Sequence, residues 1–164
     1  MQSVGNWLKK SGLKLVALDA GYSRVEMDFT PDMENIFAMA HGGALFALID
    51  EAFETASNSH GTIAVALNMN VTYISPPAPG ARLVAEAKEF NRTNKTAVYD
   101  IKVSDEKNSL IASCQALVYR MGKPLPFLEN KEPCPRDGTL KPNSEPEIEI
   151  PKQVRDDKKT KPAL

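Results

Sequence analysis

The residues with chemical capacity gather around position 40. Asn35 precedes the run His41-Gly42-Gly43, and Asp50 follows it. Two adjacent glycines at a helix start leave backbone N–H groups uncovered at the positive end of the helix dipole. An amide there stabilises negative charge developing on an oxygen. A carboxylate about two turns further on can take a proton from water or attack an electrophile itself. These types suit attack on a carbonyl carbon, but each also has an ordinary use. Gly42-Gly43 could serve tight packing alone, and Asp50 could be a solvated or ion-paired charge. His41 could donate to a backbone carbonyl, and Asn35 could cap a loop.

The element that must position them is a helix opening at the glycines. Leu45, Leu48, Ile49, Ala52, Phe53 and Ala56 recur at i, i+3, i+4, i+7, i+8 and i+11, one continuous apolar stripe. The small residues Ala44, Ala47, Ala52 and Ala56 make that face flat, so a sheet could wrap it closely. Asp50 sits beside the stripe with Phe46, Phe53 and Ser57. Glu51 and Glu54 read as solvated helix charges, with Glu51 the second candidate for the acid. The helix is expected to end near Ser57 to His60, with Gly61 as its stop and His60 only a helix-end residue.

Strands flank this helix. Leu13 to Leu18 reads as the first, and Tyr22 to Phe29 as the second, with Val25, Met27 and Phe29 facing one side. Pro31 to Ala40 has no period and reads as a loop. After the helix, Ile63, Val65, Leu67, Met69, Val71 and Tyr73 alternate with Ala64, Ala66, Asn68, Asn70 and Thr72. This run is longer than most strands and is expected to be bent and to lie at the heart of a sheet. Pro76-Pro77-Ala78-Pro79-Gly80 is a rigid turn. Three more alternating strands follow, carried by Leu83/Ala85/Ala87, Ala97/Tyr99/Ile101/Val103 and Leu110/Ala112/Cys114/Ala116/Val118. Short polar turns join them, so they pair antiparallel. Ser3 to Lys10 reads as a short helix bringing Trp7 and Leu8 onto the domain. The order predicts an α+β fold, a six-stranded antiparallel sheet on one helix. One helix covers only one face of such a sheet, so a dimer at least is expected. Residues 1–127 form this domain, and 128–164 read as a charged, Pro-rich tail with little core of its own.

Length and composition are those of a single globular domain, 164 residues with a net charge of −1. That charge argues against general affinity for nucleic acid or anionic membrane. No apolar run approaches a membrane span, and the N-terminus lacks a signal-peptide layout, so the expected location is cytoplasmic. Two cysteines and two histidines offer neither a disulfide framework nor a zinc ligand set.

From about Leu13 to Met121 the chain resembles the hotdog-fold acyl-CoA thioesterases, in the branch that includes phenylacetic-acid-degradation thioesterases. The resemblance rests on Asn35, His41-Gly42-Gly43 and Asp50 at their relative spacing. Ala56-Ser57-Asn58-Ser59, the run Asn70-Val71-Thr72-Tyr73-Ile74-Ser75-Pro76 with Gly80, and Lys95-Thr96 extend it. It implies a sheet wrapped around a central helix and dimers pairing sheets edge to edge, with dimers of dimers to follow. It also implies two active sites at the dimer interface, no metal and no cofactor. The sequence departs from the family at Ala38, where a Gly is common. It departs at Ala66, where many relatives carry a water-positioning Ser or Thr, and at Asn94, where a Gly is frequent and a left-handed backbone is tolerated.

The resemblance assigns roles. Gly43 N–H would hold the thioester oxygen, with Gly42 beside it and His41 orienting the turn. Asp50 would act as base or nucleophile, and Asn35 would hold substrate or acid in place. Asn68, Asn70 or Thr72 would stand in for the hydroxyl missing at Ala66. Arg92 and Lys95, with Thr96, would meet the coenzyme A phosphates, although a solvated hairpin turn explains them equally well. Phe46, Phe53 and Tyr73 would line the acyl pocket, unless they are core. The expected reaction is hydrolysis of acyl- or aryl-CoA to acid and CoA. The alternatives are a non-catalytic acyl-CoA-binding module and, less favoured, a hotdog hydratase.

Overall fold

A computed structural model describes residues 12–126 and Leu128. The short helix expected over Ser3 to Lys10, with Trp7 and Leu8, and the tail beyond Leu128 lie outside the described residues. The elements in chain order are β1 (Leu13–Asp19), β2 (Tyr22–Asp28), a one-turn 3-10 helix (Pro31–Met33), α1 (Gly42–Asn58), β3 (Thr62–Tyr73), β4 (Arg82–Arg92), β5 (Thr96–Asp105) and β6 (Leu110–Pro124). The strands form one sheet in the order β1-β2-β4-β5-β6-β3. Every neighbouring pair is antiparallel. α1 meets all six strands, β2 and β4 most extensively. This is the hotdog arrangement, a sheet curled around one helix.

The alternation seen in the sequence decides which face meets the helix. Val25, Met27 and Phe29 are buried, as are Leu83, Ala85 and Ala87, and Ala97, Tyr99, Ile101 and Val103. They enclose Leu45, Leu48, Ile49, Ala52, Phe53 and Ala56 of the helix. Alanines on both sides of this contact bring the backbones close, and Phe53 meets Tyr99 edge to face at 5.6 Å. On β6 the buried set is Ala112, Cys114, Ala116 and Val118, but Ile111 rather than Leu110 starts it. A register shift opposite Val103 and Ser104 accounts for the change of phase.

The long strand departs from expectation twice. β3 does not lie at the heart of the sheet. Among the described residues it is an edge strand, paired with β6 alone. Its alternation is also broken, because the pairing passes from Ala66–Val118 to Asn68–Leu117 and leaves Leu67 as an extra residue. The bulge reverses the pleat. Ala64 before it and Met69 and Val71 after it share the helix side, while Val65 and Leu67 are exposed. The bend expected of so long a strand is this bulge.

The C-terminal end of α1 is tied down by polar contacts around Glu89. His60 Nε2 lies 2.7 Å from Glu89 Oε2, and the Tyr99 hydroxyl donates to the same oxygen at 2.9 Å. Arg92 Nε lies 3.3 Å from Oε1. Burial alone would raise the Glu89 carboxyl, but the hydrogen bonds from His60 and Tyr99 outweigh it and hold the group below its ordinary range. Gly21 is required here, because its φ is +72° and a Cβ would stand 2.8 Å from that of Glu89. His60 is therefore more than a helix-end residue.

The loop leading to α1 carries one strained residue. Ala38 has φ 54°, in the left-handed region that favours glycine. Asn94 is not left-handed; Asn108 in the β5–β6 turn is, with φ 61°. Ala38→Gly should relieve about 1–2 kcal/mol of strain against about 0.5–1 kcal/mol of added chain entropy. The variant should therefore unfold at slightly higher denaturant concentration than wild type, and a lower midpoint would show that Ala38 is not strained.

Candidate active site

α1 begins where the Asn35–Ala40 loop hands the chain to His41. Asn35 organises that loop: its Oδ1 accepts from Phe37 N at 2.8 Å and Met39 N at 3.3 Å, and its own N–H donates to Met39 O at 2.7 Å. Its Nδ2 reaches Ala40 O only at 3.5 Å. His41 is the helix N-cap. Its Nδ1 accepts the Gly43 N–H at 2.9 Å, and its own N–H donates to Met33 O at 2.8 Å. The resemblance implies Gly43 N–H for an incoming oxygen and an orienting part for His41; here the imidazole accepts that N–H, as a capping side chain does, rather than donating to a backbone carbonyl. The N–H left without an acceptor among the described residues is that of Gly42.

Gly42 opens on a cleft of about 290 Å³ lined by Asn35, Met39, Ala40, Leu45, Tyr73, Ile74, Ser75 and Pro76. Apolar side chains make most of this wall, and Tyr73 enters from the end of β3. Its hydroxyl donates to Gly42 O at 3.0 Å. Neither Gly42 nor Gly43 needs a positive φ; what they need is room. A Cβ on Gly43 would stand 2.9 Å from His41 Nδ1, and one on Gly42 would stand 3.3 Å from the Tyr73 ring.

Asp50 lies further down α1, half-buried on its flank. Burial alone pushes its carboxyl above the ordinary aspartate range, with neither an ion pair nor a hydrogen bond among the described residues to offset it. Its charge reaches toward β6, where the Cys114 thiol is pushed up to about 11, first by burial and then by Asp50. Glu51 is not solvated as expected. It is 7% exposed, and burial, then Glu54, then Asp50 raise its carboxyl. With about 1.5 Å of rise per residue, Asp50 stands roughly 12 Å along the axis from Gly42. One protomer therefore does not bring the free amide and the carboxylate to a single carbonyl.

The remaining expected residues are dispersed. Ala66 pairs with buried Val118 and faces the helix side, whereas Asn70 pairs with exposed Gln115. Asn68 and Thr72 share the Asn70 face, so all three point away from Asp50 of their own protomer. Arg92 is engaged with Glu89, Lys95 Nζ lies 5.8 Å over the Tyr119 ring, and Thr96 Oγ1 meets Thr93 Oγ1 at 3.0 Å. This turn belongs to the His60 end of a helix roughly 25 Å long, opposite Gly42. Phe53 is core, Phe46 is 39% exposed, and only Tyr73 of the three aromatics lines the cleft. Among the described residues no group of acidic, His or Cys side chains could hold a metal, and no helix is long and apolar enough to cross a membrane.

Comparison with known proteins supplies the family. The thioesterase superfamily profile matches residues 37–112. The chain is 33% identical to the acyl-coenzyme A thioesterase PaaI of Escherichia coli over 70% of its own length and 81% of that protein. The structure of the Escherichia coli PaaI protein, from the phenylacetic acid degradation operon, superposes with a TM-score of 0.70, covering 73% of this chain and 86% of that one at 32% identity. A mutant form of the phenylacetic acid degradation protein PaaI from Thermus thermophilus gives a TM-score of 0.67 at 37% identity, covering 71% and 99%. With the hotdog sheet, the His-Gly-Gly helix start and this degree of identity together, the chain belongs to the thioesterase superfamily, in its PaaI-type hotdog branch.

Proposed function

We propose that this protein hydrolyses acyl- or aryl-CoA thioesters to the free acid and coenzyme A, at a site completed by a second copy of the chain. The observation that carries the reading is Asp50. A carboxyl half-buried, raised by burial and unpaired is costly to keep for structure alone, and such groups concentrate where proton transfer is needed. The name of the Escherichia coli relative, an acyl-coenzyme A thioesterase, supplies the substrate class.

In this reading the thioester carbonyl enters the cleft beside Gly42. Its oxygen accepts the free Gly42 N–H at the positive end of α1, a donor worth about 3–4 kcal/mol as charge builds. His41 holds the turn through Gly43 rather than touching substrate, and Asn35 steadies the loop. Asp50 of the partner subunit takes a proton from water as the water oxygen bonds to the carbonyl carbon, or attacks that carbon itself. The carbon–sulfur bond then breaks, and the coenzyme A thiolate leaves and is protonated; where Asp50 itself attacked, water then hydrolyses the resulting acyl anhydride, releasing the acid and restoring the carboxylate. The need for a partner follows from the roughly 12 Å between Gly42 and Asp50 in one protomer. The bare β3 edge, with Val65, Leu67 and Tyr73 exposed, is the surface on which a second copy would pair. Lys95 and Thr96, with Arg92 released from Glu89, would then meet the coenzyme A phosphates from that copy. A tetramer formed from two such dimers and a cytoplasmic location accompany the reading.

A thiol-release screen over short, medium, long and aromatic CoA esters tests it, and binding by calorimetry with no thiol released from any ester would make the chain a binding module instead. Asp50→Asn should lower kcat by about 10²-fold or more with thermal unfolding unchanged; wild-type turnover in this variant would remove Asp50 from the chemistry. The carboxylate works only when deprotonated, so activity is lost as pH falls through its raised value. The acid limb of kcat/KM should therefore lie above the ordinary aspartate value of about 3.9. An acid limb at or below that value would contradict the role.

A further inference from the structure

The peptide unit between the two glycines is gripped at both ends. Its oxygen, Gly42 O, accepts from the Tyr73 hydroxyl at 3.0 Å. Its N–H, on Gly43, donates to His41 Nδ1 at 2.9 Å. Gly-Gly is the dipeptide with the widest conformational freedom, so without restraint this unit would be the loosest part of the helix start. The Tyr73 contact is also long-range, crossing from the end of β3 to the start of α1.

The phenol arrives from a well-fixed point. Tyr73 pairs with Ala112 on β6. The next two amides, Ile74 N and Ser75 N, both donate to Ile111 O, at 2.9 and 3.2 Å. Ser75 Oγ donates to Leu110 O at 2.8 Å. The strand end is thus held in place, and the Tyr73 side chain starts from a fixed backbone. The ring lies against Gly42, where a Cβ would come within 3.3 Å of both Cζ and Oη. Gly42 and Tyr73 therefore fit each other as a pair.

We infer that Tyr73 is a positioning residue for the helix-start amides: its hydroxyl clamps the Gly42–Gly43 peptide so that the neighbouring Gly42 N–H keeps one direction into the cleft. The inference rests on the function proposed above. Hydroxyl, peptide and imidazole form one chain, Oη–H to O=C–N–H to Nδ1, in which each hydrogen bond polarises the next by roughly 10–30%. The hydroxyl thereby strengthens the His41 cap as well as orienting the turn. The consequence should appear in turnover, because a misplacement of about 1 Å at a reacting group can cost up to 10²-fold, whereas substrate affinity comes largely from the rest of the cleft.

Tyr73→Phe keeps the ring against Gly42 and removes only the hydroxyl, so folding should survive, and thermal unfolding will check this. The expected result is a fall in kcat of roughly tenfold with KM within about twofold of wild type. The acid limb of the pH profile, which belongs to Asp50, should not move. In amide-resolved NMR the Gly43 N–H should shift and exchange faster with solvent. The inference stands only if both readouts change. Unaltered kcat overturns it, as does a fall in kcat with an unmoved Gly43 amide. Wild-type protein that hydrolyses no CoA ester would overturn the functional reading instead, and the Gly43 amide would still report whether the clamp exists, so the two failures are distinguishable.

Discussion

One helix has to fill the concave side of six strands, and the close approach this demands governs the rest of the molecule. Ala52 and Ala56 on the helix meet a sheet whose inner face is rich in alanine, including Ala85, Ala87, Ala97, Ala112 and Ala116, all almost fully buried. Small residues on both sides let the sheet curl tightly, and Phe53, Tyr99, Leu48 and Ile49 fill what space remains. Because the helix is sequestered along its apolar stripe, only its two ends and one flank are available for chemistry. The His60 end is consumed by Glu89 and its partners. The Gly42 end is left open, and it is the end whose dipole favours an incoming oxygen.

The same geometry leaves the sheet unfinished. A curled open sheet has two edges, and the one formed by β3 carries exposed Val65 and Leu67 beside a bulge. Asp50 sits on the helix flank that faces toward β6, next to that edge. Among the described residues, the Gly42 amide and the Asp50 carboxyl thus both lack partners, and roughly 12 Å of helix separates them. In the function proposed above, a second copy lying on that edge would supply what the single chain lacks. The polar turn with Arg92 and Lys95, remote from Gly42 within one protomer, would reach the substrate only in that same proposed arrangement.

Each glycine of the helix start answers to a particular neighbour. Gly43 makes room for the His41 ring and gives that ring its N–H; Gly42 makes room for Tyr73 and keeps its own N–H free. The division of labour cannot be inferred from two identical letters side by side, since it depends on where an imidazole and a phenol come to rest. Ala38, standing where glycine is common in this family, shows the opposite case: a residue that manages without glycine at the cost of a left-handed backbone.

Much of this was legible in the sequence because it is periodic or local. The 3.6-residue stripe from Leu45 to Ala56 defined the helix, and the two-residue alternation in β2, β4 and β5 defined which side chains are buried. The run His41-Gly42-Gly43 marked where that helix would open. What the fold alone decided is everything set by pairing across the chain. A bulge at Leu67 reversed half of the longest strand, and strand order put that strand at an edge; neither leaves a trace in hydrophobic alternation, which records sides and not neighbours. The Glu89 cluster, the choice between the Gly42 and Gly43 amides and the approach of Tyr73 all join residues distant in sequence, and only the folded sheet could bring them together.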